Sequence, residues 1–336
     1  MANNRKGKLL TTYGSLFSGA GGFDLGCDAA GWECKFQVER DTHPKSVLFH
    51  HWPDVPKWSD VRDVDGAKLP TVDVITFGFP CQDLTTGGKR AGLDGHRSGL
   101  FFEAIRIIDE MRHDTHGQFP TIVCIENVPG LLNADRGAAM GRCLDELAHI
   151  GAVGIEWRVY DAQFFGVPQR RRRIFIAASF DPRTLRHGPL FPDPERMSKH
   201  LGQDRNKRET AAPTVAGRIA DTTDTNILAF VKGQRARDID DFETWEMDRP
   251  SPTLNAFDNR HETRATVLVV HDNTPPIVRR LTPRECERLQ GWPDDHTRWD
   301  NNGNEIRDGA RFEMIGNGVA APVGEYVARS IDRVLQ

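Results

Sequence analysis

A cysteine follows a predicted β-strand at a point where the chain must turn sharply. The apolar run Val72–Phe77 leads into Gly78-Phe79-Pro80-Cys81-Gln82. Pro80 has a fixed φ and keeps Phe79 out of the helical region, so a turn is predicted at the carboxyl end of the strand. Sheets in α/β proteins bind their ligands at such ends. A thiol held there can act as a nucleophile if its pKa is lowered, whereas most free cysteines are simply buried.

Two further polar motifs adjoin predicted strands. Glu126-Asn127-Val128-Pro129-Gly130 follows one strand, and Gln169-Arg170-Arg171-Arg172-Arg173 leads into another. Alternation along a strand turns Arg171 and Arg173 to one side and the two intervening arginines to the other. Each motif also has a plainer interpretation, because a glutamate can cap a strand end and an arginine run can form a solvated basic face.

A glycine-rich motif, Ser18-Gly19-Ala20-Gly21-Gly22, lies between the first predicted strand and the first predicted helix. Glycines let the backbone turn tightly and approach a ligand at the amino end of the helix. Glu39, which ends the second predicted strand, is placed to bind ribose hydroxyls. The motif lacks the full G-x-G-x-x-G spacing, so it fits NAD, S-adenosylmethionine or neither, and Glu39 also fits a solvated carboxylate.

The elements that position these residues alternate between strands and helices, which predicts an α/β fold built from βαβ units around a parallel sheet. The predicted strands are Thr12–Phe17, Cys34–Glu39, Val72–Phe77, Thr121–Glu126 and Arg173–Ala178. The predicted helices are Gly22–Ala30, Thr42–His51, Gly99–Arg112, Gly137–Ile150, Thr282–Gln290 and Val319–Leu335. Between about 181 and 280 this alternation is lost, and that stretch carries 16 Lys+Arg against 16 Asp+Glu. It is predicted to form a small separate domain of irregular or β-rich structure.

Length and composition favour a soluble globular protein of about two domains. The 336 residues are 38% hydrophobic and 27% charged, with a net charge of −4, and seven Trp and eighteen Phe can build a large core. No apolar run approaches the ~20 residues of a membrane helix, and the N-terminus lacks a secretory signal. The six cysteines form no Cys-x-x-Cys pair, so neither a zinc site nor a disulfide framework is predicted.

The motifs together, in order along nearly the whole chain, resemble the DNA (cytosine-5) methyltransferase family. The resemblance rests on Leu16-Phe17-Ser18-Gly19-Ala20-Gly21-Gly22, Gly78-Phe79-Pro80-Cys81-Gln82, Glu126-Asn127-Val128-Pro129-Gly130, Gln169-Arg170-Arg171-Arg172-Arg173, Leu281-Thr282-Pro283-Arg284-Glu285-Cys286 and Gly316-Asn317-Gly318-Val319-Ala320. One departure is Ser15, because the family usually has Asp at this position. The resemblance implies a Rossmann-like class I S-adenosylmethionine-dependent methyltransferase domain, at 10–180 plus 281–336, and a target-recognition domain at 181–280.

The resemblance also implies roles for individual residues. Cys81 would attack carbon 6 of cytosine, and Glu126 would hold or protonate ring N3. Arg171 and Arg173 match positions that organise the pocket, one of them contacting the base carbonyl. The methyl donor would be S-adenosylmethionine, with no metal. Its contacts would come from Phe17, Gly19, Ala20, Gly21, Gly22, Glu39, Asp60, Val61, Gly78, Pro80, Asn317 and Val319.

By the same resemblance, the partner is double-stranded DNA, from which the target base is flipped, and a cognate restriction endonuclease is a candidate partner. The protein is expected to be a monomer in a bacterial cytoplasm, encoded by a bacterium or a phage, with no membrane attachment. The candidate base-reading arginines are too numerous to rank and include Arg218, Arg235, Arg237, Arg249, Arg260 and Arg264.

Three alternatives remain open on sequence alone. A NAD-dependent oxidoreductase accounts for the glycine-rich turn but not for Pro80-Cys81-Gln82. A tRNA cytosine-5 methyltransferase would share the fold, but the Cys-Phe-Thr phrase usual in such enzymes is missing here. A non-catalytic DNA-binding protein would have no need of the cysteine, glutamate and arginine positions.

Overall fold

The computed structural model describes residues 10–79, 99–192, 214–220, 227–234, 244–247, 249–254, 267–271 and 277–335. These residues form a seven-stranded sheet, a four-stranded sheet and eight α-helices. The strands of the larger sheet are β1 (Thr12–Leu16), β2 (Glu33–Val38), β3 (Lys57–Trp58), β4 (Val74–Phe77), β5 (Ile122–Asn127), β6 (Gly154–Asp161) and β7 (Arg172–Ser179).

The larger sheet has the strand order β3-β2-β1-β4-β5-β7-β6. Strands β1 to β5 are parallel, and the chain first builds outward from β1 to β3 before it returns to place β4 on the other side of β1. The boundary between β1 and β4 is therefore a topological switch point, the place where open α/β sheets bind ligands.

The prediction of a wholly parallel sheet is wrong at its far edge. β7 pairs antiparallel with both β5 and β6. The segment between β6 and β7 contains only a short 3₁₀ turn, Ala162–Phe165. A parallel pairing needs a long crossover connection, whereas a short one allows only the antiparallel arrangement. β6 itself was not among the predicted strands.

Helices cover both faces of the larger sheet, so the central strands β4 and β5 are almost wholly buried, as an α/β sheet requires. The helices are α1 (Gly22–Ala29), α2 (Thr42–His51), α3 (Leu100–Asp114), α4 (Ala138–His149), α5 (Val215–Ile219), α6 (Pro283–Leu289), α7 (Asp308–Asn317) and α8 (Ala321–Asp332). Helices α3 and α4 pack on one face, and α1 packs with α8 on the other. The six predicted helices are confirmed with bounds shifted by no more than three residues, while α5 and α7 were not predicted.

The smaller sheet consists of β8 (Ile227–Gln234), β9 (Thr244–Met247), β10 (Val267–His271) and β11 (Ile277–Arg280), in the antiparallel order β11-β10-β8-β9. Its buried side chains, such as Ala229, Val231 and Val269, share one hydrophobic cluster with α5, α6 and α7. Within the described part of the 181–280 stretch, the strands and α-helices are thus those of this four-stranded sheet and the short helix α5. In the described residues, no helix has the length and apolar character that crossing a membrane requires.

Candidate active site

Four strands of the larger sheet meet at the edge that carries the candidate site residues. The parallel strands β1, β4 and β5 end there, and β7 begins there because it runs antiparallel to β5. In this register Asn127 lies opposite Ile174, so the start of β7 faces the end of β5. Had β7 been parallel, as the sequence predicted, its arginines would lie at the opposite edge, far from Glu126.

Glu126 and Arg173 form an ion pair at this edge. Arg173 Nε lies 2.9 Å from Glu126 Oε1, and the two side chains are only 15% and 12% exposed. Burial raises the pKa of Glu126, and the neighbouring Arg173 and Arg171 guanidinium groups oppose this shift without cancelling it. A carboxyl group with a raised pKa can keep a proton closer to neutral pH, which general acid catalysis requires.

The four consecutive arginines divide between two sides, as alternation predicted. Arg170 and Arg172 are exposed, whereas Arg171 is buried and Arg173 is partly buried. One side of the basic run can therefore contribute side chains to the candidate site, while the other side presents two charges to solvent.

Arg171 joins three separate segments of the chain. Its Nη1 donates to the Leu254 carbonyl at 2.8 Å, and its Nη2 donates to the carbonyls of Gly316 and Gly318 at 2.9 and 2.5 Å. The guanidinium therefore ties the start of β7 to the segment before β10 and to the loop after α7. This geometry fits a residue that organises the pocket.

Replacing Arg171 by alanine is expected to lower the free energy of unfolding by about 3 kcal/mol, because two buried carbonyls and one partly buried carbonyl would each lose a partner at about 1 kcal/mol. Arg170→Ala is the matched control, since Arg170 is exposed and, among the described residues, forms hydrogen bonds only through its backbone N–H and carbonyl, with Ser251 and Thr253. Urea denaturation of both variants provides the measurement. Equal midpoints for the two would contradict the organising role of Arg171.

The chain that leads to the predicted nucleophile is held against Glu126. A Cβ at Gly78 would lie 3.0 Å from Glu126 Oε2, so only glycine leaves the carboxylate undisturbed. The buried Asn127 donates from Nδ2 to the Phe79 carbonyl at 3.4 Å. The two predicted site residues that follow, Pro80 and Cys81, lie outside the described residues.

The glycine-rich turn adopts an unusual backbone conformation. Phe17 has φ of +52°, and Gly19 and Gly21 have φ of +57° and +82°. A left-handed conformation is natural for glycine but costs a phenylalanine about 1 kcal/mol or more, and such strain is concentrated at functional sites. Glu39 accepts the N–H of Gly19 at 2.8 Å and that of Asp41 at 2.7 Å. Its carboxylate keeps further lone pairs for a ligand.

The last motif of the chain lies against the first. A Cβ at Gly22 would lie 2.7 Å from the carbonyl oxygen of Val319. Val319 is buried, whereas Asn317, at the end of α7, is exposed. The structure thus brings together Phe17, Gly19, Ala20, Gly21, Gly22, Glu39 and Val319 from opposite ends of the sequence.

Asp60 forms an ion pair with Arg62, which the sequence did not indicate. Its Oδ1 accepts Arg62 Nε at 3.0 Å, and its Oδ2 accepts Arg62 Nη2 at 2.6 Å. This pairing lowers the pKa of Asp60 to about 2. Val61, the adjoining predicted contact, is buried, and its carbonyl accepts a hydrogen bond from Arg106. A ligand that binds the Asp60 carboxylate must share it with Arg62.

Ser15, the departure from the family pattern, contacts a buried carboxyl group elsewhere. Ser15 Oγ donates to Asp24 Oδ2 at 3.2 Å, and Gln37 Nε2 donates to Asp24 Oδ1 at 2.8 Å. Asp24 in α1 therefore supplies a carboxylate beside the first strand, although sequence reasoning did not single it out. Its signal was an acidic residue on the buried face of α1, directly after the glycine-rich turn.

Burial raises the pKa of Asp24 to about 7. The folded protein then holds a proton that the unfolded chain releases above about pH 4, so wild-type stability should fall as the pH rises from 4 to 7. Asp24→Asn lacks this titrating group. The free energy of unfolding of wild type, relative to that of Asp24→Asn, is therefore expected to fall by about 3 kcal/mol between pH 4 and pH 7. Urea denaturation at several pH values tests this, with the exposed Asp54→Asn as control. Parallel curves for wild type and Asp24→Asn would contradict it.

Across the part of the chain that the structure describes, no group of three or more His, Cys, Asp or Glu side chains is arranged to hold a metal ion. The candidate site at this sheet edge consists instead of a carboxyl–guanidinium pair, a strained glycine-rich turn and the chain that leads to Cys81.

Comparison with known proteins identifies a family. The profile of the C-5 cytosine-specific DNA methylase family matches residues 11–333. The chain is 30% identical to the Type II methyltransferase M2.BsuMI of Bacillus subtilis (strain 168), over 95% of this chain and 75% of that protein. It is 26% identical to the Type II methyltransferase M.HhaI of Haemophilus parahaemolyticus, over 97% of this chain and 96% of that protein.

A solved structure, that of the S. pombe Dnmt2 methyltransferase, has the same fold. It superposes with a TM-score of 0.70 at 16% sequence identity, covering 97% of this chain and 99% of that one. The α/β fold with its mixed sheet is thus shared with that solved structure. Because the family profile spans nearly the whole sequence, the chain belongs to the C-5 cytosine-specific DNA methylase family.

Proposed function

We propose that this protein transfers a methyl group from S-adenosylmethionine to carbon 5 of cytosine in a specific sequence of duplex DNA. The observation that carries the proposal is the partly buried Glu126–Arg173 pair at the sheet edge where the chain leads toward Cys81. A cytosine ring set against this pair meets an acid for N3 and a hydrogen-bond donor for its carbonyl. Family membership supports the same chemistry.

Carbon 5 of cytosine is a poor nucleophile, so the ring must first be activated. We propose that the Cys81 thiolate forms a bond from Sγ to carbon 6 while Glu126 gives a proton to N3, which yields a neutral enamine. Carbon 5 then takes the methyl group. Carbon 5 then loses its proton to solvent, the Sγ–carbon 6 bond breaks, and N3 returns its proton to Glu126, which restores the aromatic ring and frees Cys81 as the thiolate. Proton donation of this kind is typically worth about 10²–10⁴-fold in rate.

Arg173 has two effects in this scheme. Its guanidinium can donate to the base carbonyl where negative charge develops, a contribution that is often large in a dry pocket. It also limits the rise of the Glu126 pKa, because a cation 2.9 Å away favours the carboxylate. Arg171 acts indirectly, by fixing the strand from which Arg173 projects.

The first turn fits S-adenosylmethionine. Beside Gly19, no atom of the described residues lies within 4 Å of the position that a Cβ would take, so the turn faces open space next to Phe17 and Glu39. Phe17 would stack on the adenine and Glu39 would accept ribose hydroxyls. Gly78, Pro80, Asp60, Val61, Asn317 and Val319 complete the proposed contacts. When bound, S-adenosylmethionine supplies the electrophilic methyl group.

Bisulfite sequencing of DNA from a methylation-free bacterial strain that expresses the protein tests this function. Cytosines within one recurrent short sequence should resist conversion, and this resistance should vanish with Cys81→Ser. Because a tRNA cytosine-5 methyltransferase would share this fold, purified protein should be assayed on duplex DNA and on tRNA in parallel. Methylation of tRNA alone, or of no cytosine by a folded protein that binds S-adenosylmethionine, would contradict the proposal.

We further propose that 181–280 recognises the target sequence, with 10–180 and 281–336 forming the catalytic domain. Because the base lies within the duplex, the enzyme must flip it out at a cost of a few kcal/mol. Arg218 is a weak candidate reader, because it is partly buried and its Nε donates to the Arg288 carbonyl at 3.0 Å. Arg249 pairs with Glu246 at 2.6 Å. Arg235, Arg237, Arg260 and Arg264 lie outside the described residues.

Exchanging 181–280 for the same region of a related enzyme is expected to move methylation to the donor's site while Cys81 remains necessary. Within the segment, alanine in place of a base-reading arginine should relax one position of the site at a cost of about 1–3 kcal/mol. A folded chimera that keeps the original site would contradict the assignment. We also propose a cognate restriction endonuclease, because several relatives are named as Type II methyltransferases.

A further inference from the structure

A buried histidine from the end of the chain contacts the glycine-rich turn. His296 Nε2 lies 2.7 Å from the carbonyl oxygen of Ala20, 276 positions earlier. A carbonyl oxygen only accepts hydrogen bonds, so Nε2 carries the hydrogen and donates it. His296 is 1% exposed, and Ala20 is buried as well. Without this ring, the Ala20 carbonyl would be a buried acceptor that has lost its partner.

The Ala20 carbonyl belongs to the same rigid peptide plane as the Gly21 N–H. On one side of the plane the Gly21 N–H donates to the Ser18 carbonyl at 3.0 Å, and on the other His296 holds the oxygen. Gly21 has a positive φ and little steric restriction, so the flanking torsions do not by themselves prevent this plane from rotating. The two hydrogen bonds therefore determine where the turn directs its N–H and carbonyl groups.

The His296 ring is held in place by aromatic neighbours. It stacks on His51 of α2 with centroids 4.1 Å apart and planes 11° from parallel, and it meets the edge of Trp292 at 5.3 Å. His51 Nε2 also donates to the His296 carbonyl at 2.7 Å. Among the described residues, His296 Nδ1 has no hydrogen-bond partner. Burial lowers the pKa of His296 to about 3, so the neutral donor persists at neutral pH.

The backbone on both sides of His296 is fixed by one buried carboxylate. Glu287, in α6, accepts the N–H of Asp295 and that of Thr297, each at 2.8 Å. Arg311 of α7 neutralises Glu287 at 3.2 Å, and both side chains are almost wholly buried. Asp295 is in the left-handed region with φ of +61°. A turn with a strained backbone persists only where the surrounding contacts hold it in place, as the buried Glu287–Arg311 pair does here. Such strain is concentrated at functional sites.

The same segment also holds the last motif. Trp292 Nε1 donates to the Val319 carbonyl at 2.8 Å. The indole fills the space beside Gly22 and Gly318, and a Cβ at Gly22 would lie 2.5 Å from Trp292 Cζ2. Residues 292–296 therefore fix both turns of the candidate cofactor site by hydrogen bonds to their carbonyl groups.

We propose that His296 is a positioning residue for the methyl donor: by holding the Ala20 carbonyl, it keeps the Ser18–Gly22 turn in the shape that binds S-adenosylmethionine. Trp292 does the same for the turn that contains Val319. This inference rests on the proposed function, because it takes that turn to be the cofactor site. His296 acts through the turn and takes no part in the chemistry.

The test is direct binding of S-adenosylmethionine and S-adenosylhomocysteine to the full-length protein by titration calorimetry. His296→Phe keeps an aromatic ring and removes the donor, and its Kd is expected to rise about tenfold, the size expected for loss of one buried hydrogen bond. His296→Gln restores an N–H donor and should bind within about threefold of wild type. The methylation rate at saturating cofactor should change less than twofold. His50→Phe, at an exposed neighbour of His51, is the matched control.

Trp292→Phe provides an independent check, because it keeps aromatic volume and removes only the indole N–H. Its Kd should rise about threefold. An unchanged Kd in both His296→Phe and Trp292→Phe would overturn the inference. So would a loss of rate at saturating cofactor equal to the loss of affinity, with no recovery in His296→Gln. If the wild-type protein binds neither ligand, the proposed function fails at its cofactor, a result distinct from unchanged affinity in the variants.

Discussion

Replacing Cys81 by serine is expected to lower the rate of methyl transfer by about 10⁴-fold or more, while the Kd for S-adenosylmethionine stays within about twofold of wild type. The hydroxyl has a far higher pKa than the thiol, so the nucleophilic anion is scarcely formed. Without the bond from Sγ to carbon 6, carbon 5 never becomes an enamine carbon. Single-turnover methylation of duplex DNA, with tritium in the transferred methyl group, measures the effect.

The control for this change is Cys34→Ser, which alters a partly buried thiol on β2 by the same single atom. It should methylate at close to the wild-type rate. If Cys81→Ser methylates within tenfold of wild type, the covalent mechanism is wrong and another group must activate the base.

Glu126→Gln is expected to lower the same single-turnover rate by about 10²–10⁴-fold, with a smaller effect on DNA affinity. The amide can still donate a hydrogen bond to N3 but cannot transfer a proton. The change also leaves Arg173 beside a neutral group, and with the carboxylate gone its guanidinium loses the partner that lies 2.9 Å away. Arg173→Lys, measured alongside, keeps the carboxyl group of Glu126 and a positive charge but removes the guanidinium. Its rate therefore shows how much is lost when the pair is disturbed and the proton donor remains.

The pH dependence provides a second test of Glu126. Burial raises the pKa of Glu126, and the protonated form is the one that we propose to be active. The wild-type rate should therefore decline as the pH rises through that pKa, and this decline should be absent in Glu126→Gln. A rate in Glu126→Gln equal to that of wild type would reduce Glu126 to a structural role.

Sequence patterns predicted the strands and helices that surround the site with small errors, because apolar runs and glycine-rich turns are local signals. The direction of β7 was not predictable in the same way. Strand direction depends on the length of the connection from β6, and β6 alternates exposed and buried residues too weakly to be recognised. Yet the antiparallel β7 is what sets Arg173 against Glu126.

Some residues of the candidate site could likewise be identified from the sequence, whereas their contacts could not. Glu126, Arg171 and Arg173 could be selected from their motifs, but the three carbonyl partners of Arg171 come from segments up to 147 positions away. Asp24 and His296 carry no motif of their own. Their contacts with Ser15 and Ala20 become visible only when the first strand, α1 and the segment after α6 are brought together.

The covalent bond between Cys81 and the target cytosine is the central claim, and one measurement addresses it directly. Wild-type protein is incubated with S-adenosylmethionine and duplex DNA that carries 5-fluorocytosine at the cytosine identified by bisulfite sequencing, and the mixture is run on a denaturing gel. Fluorine at carbon 5 cannot leave as a proton does, so the Sγ–carbon 6 bond should persist. We predict a protein–DNA band that survives denaturation with wild type and is absent with Cys81→Ser. Normal methylation of unmodified DNA without any such band would contradict the account.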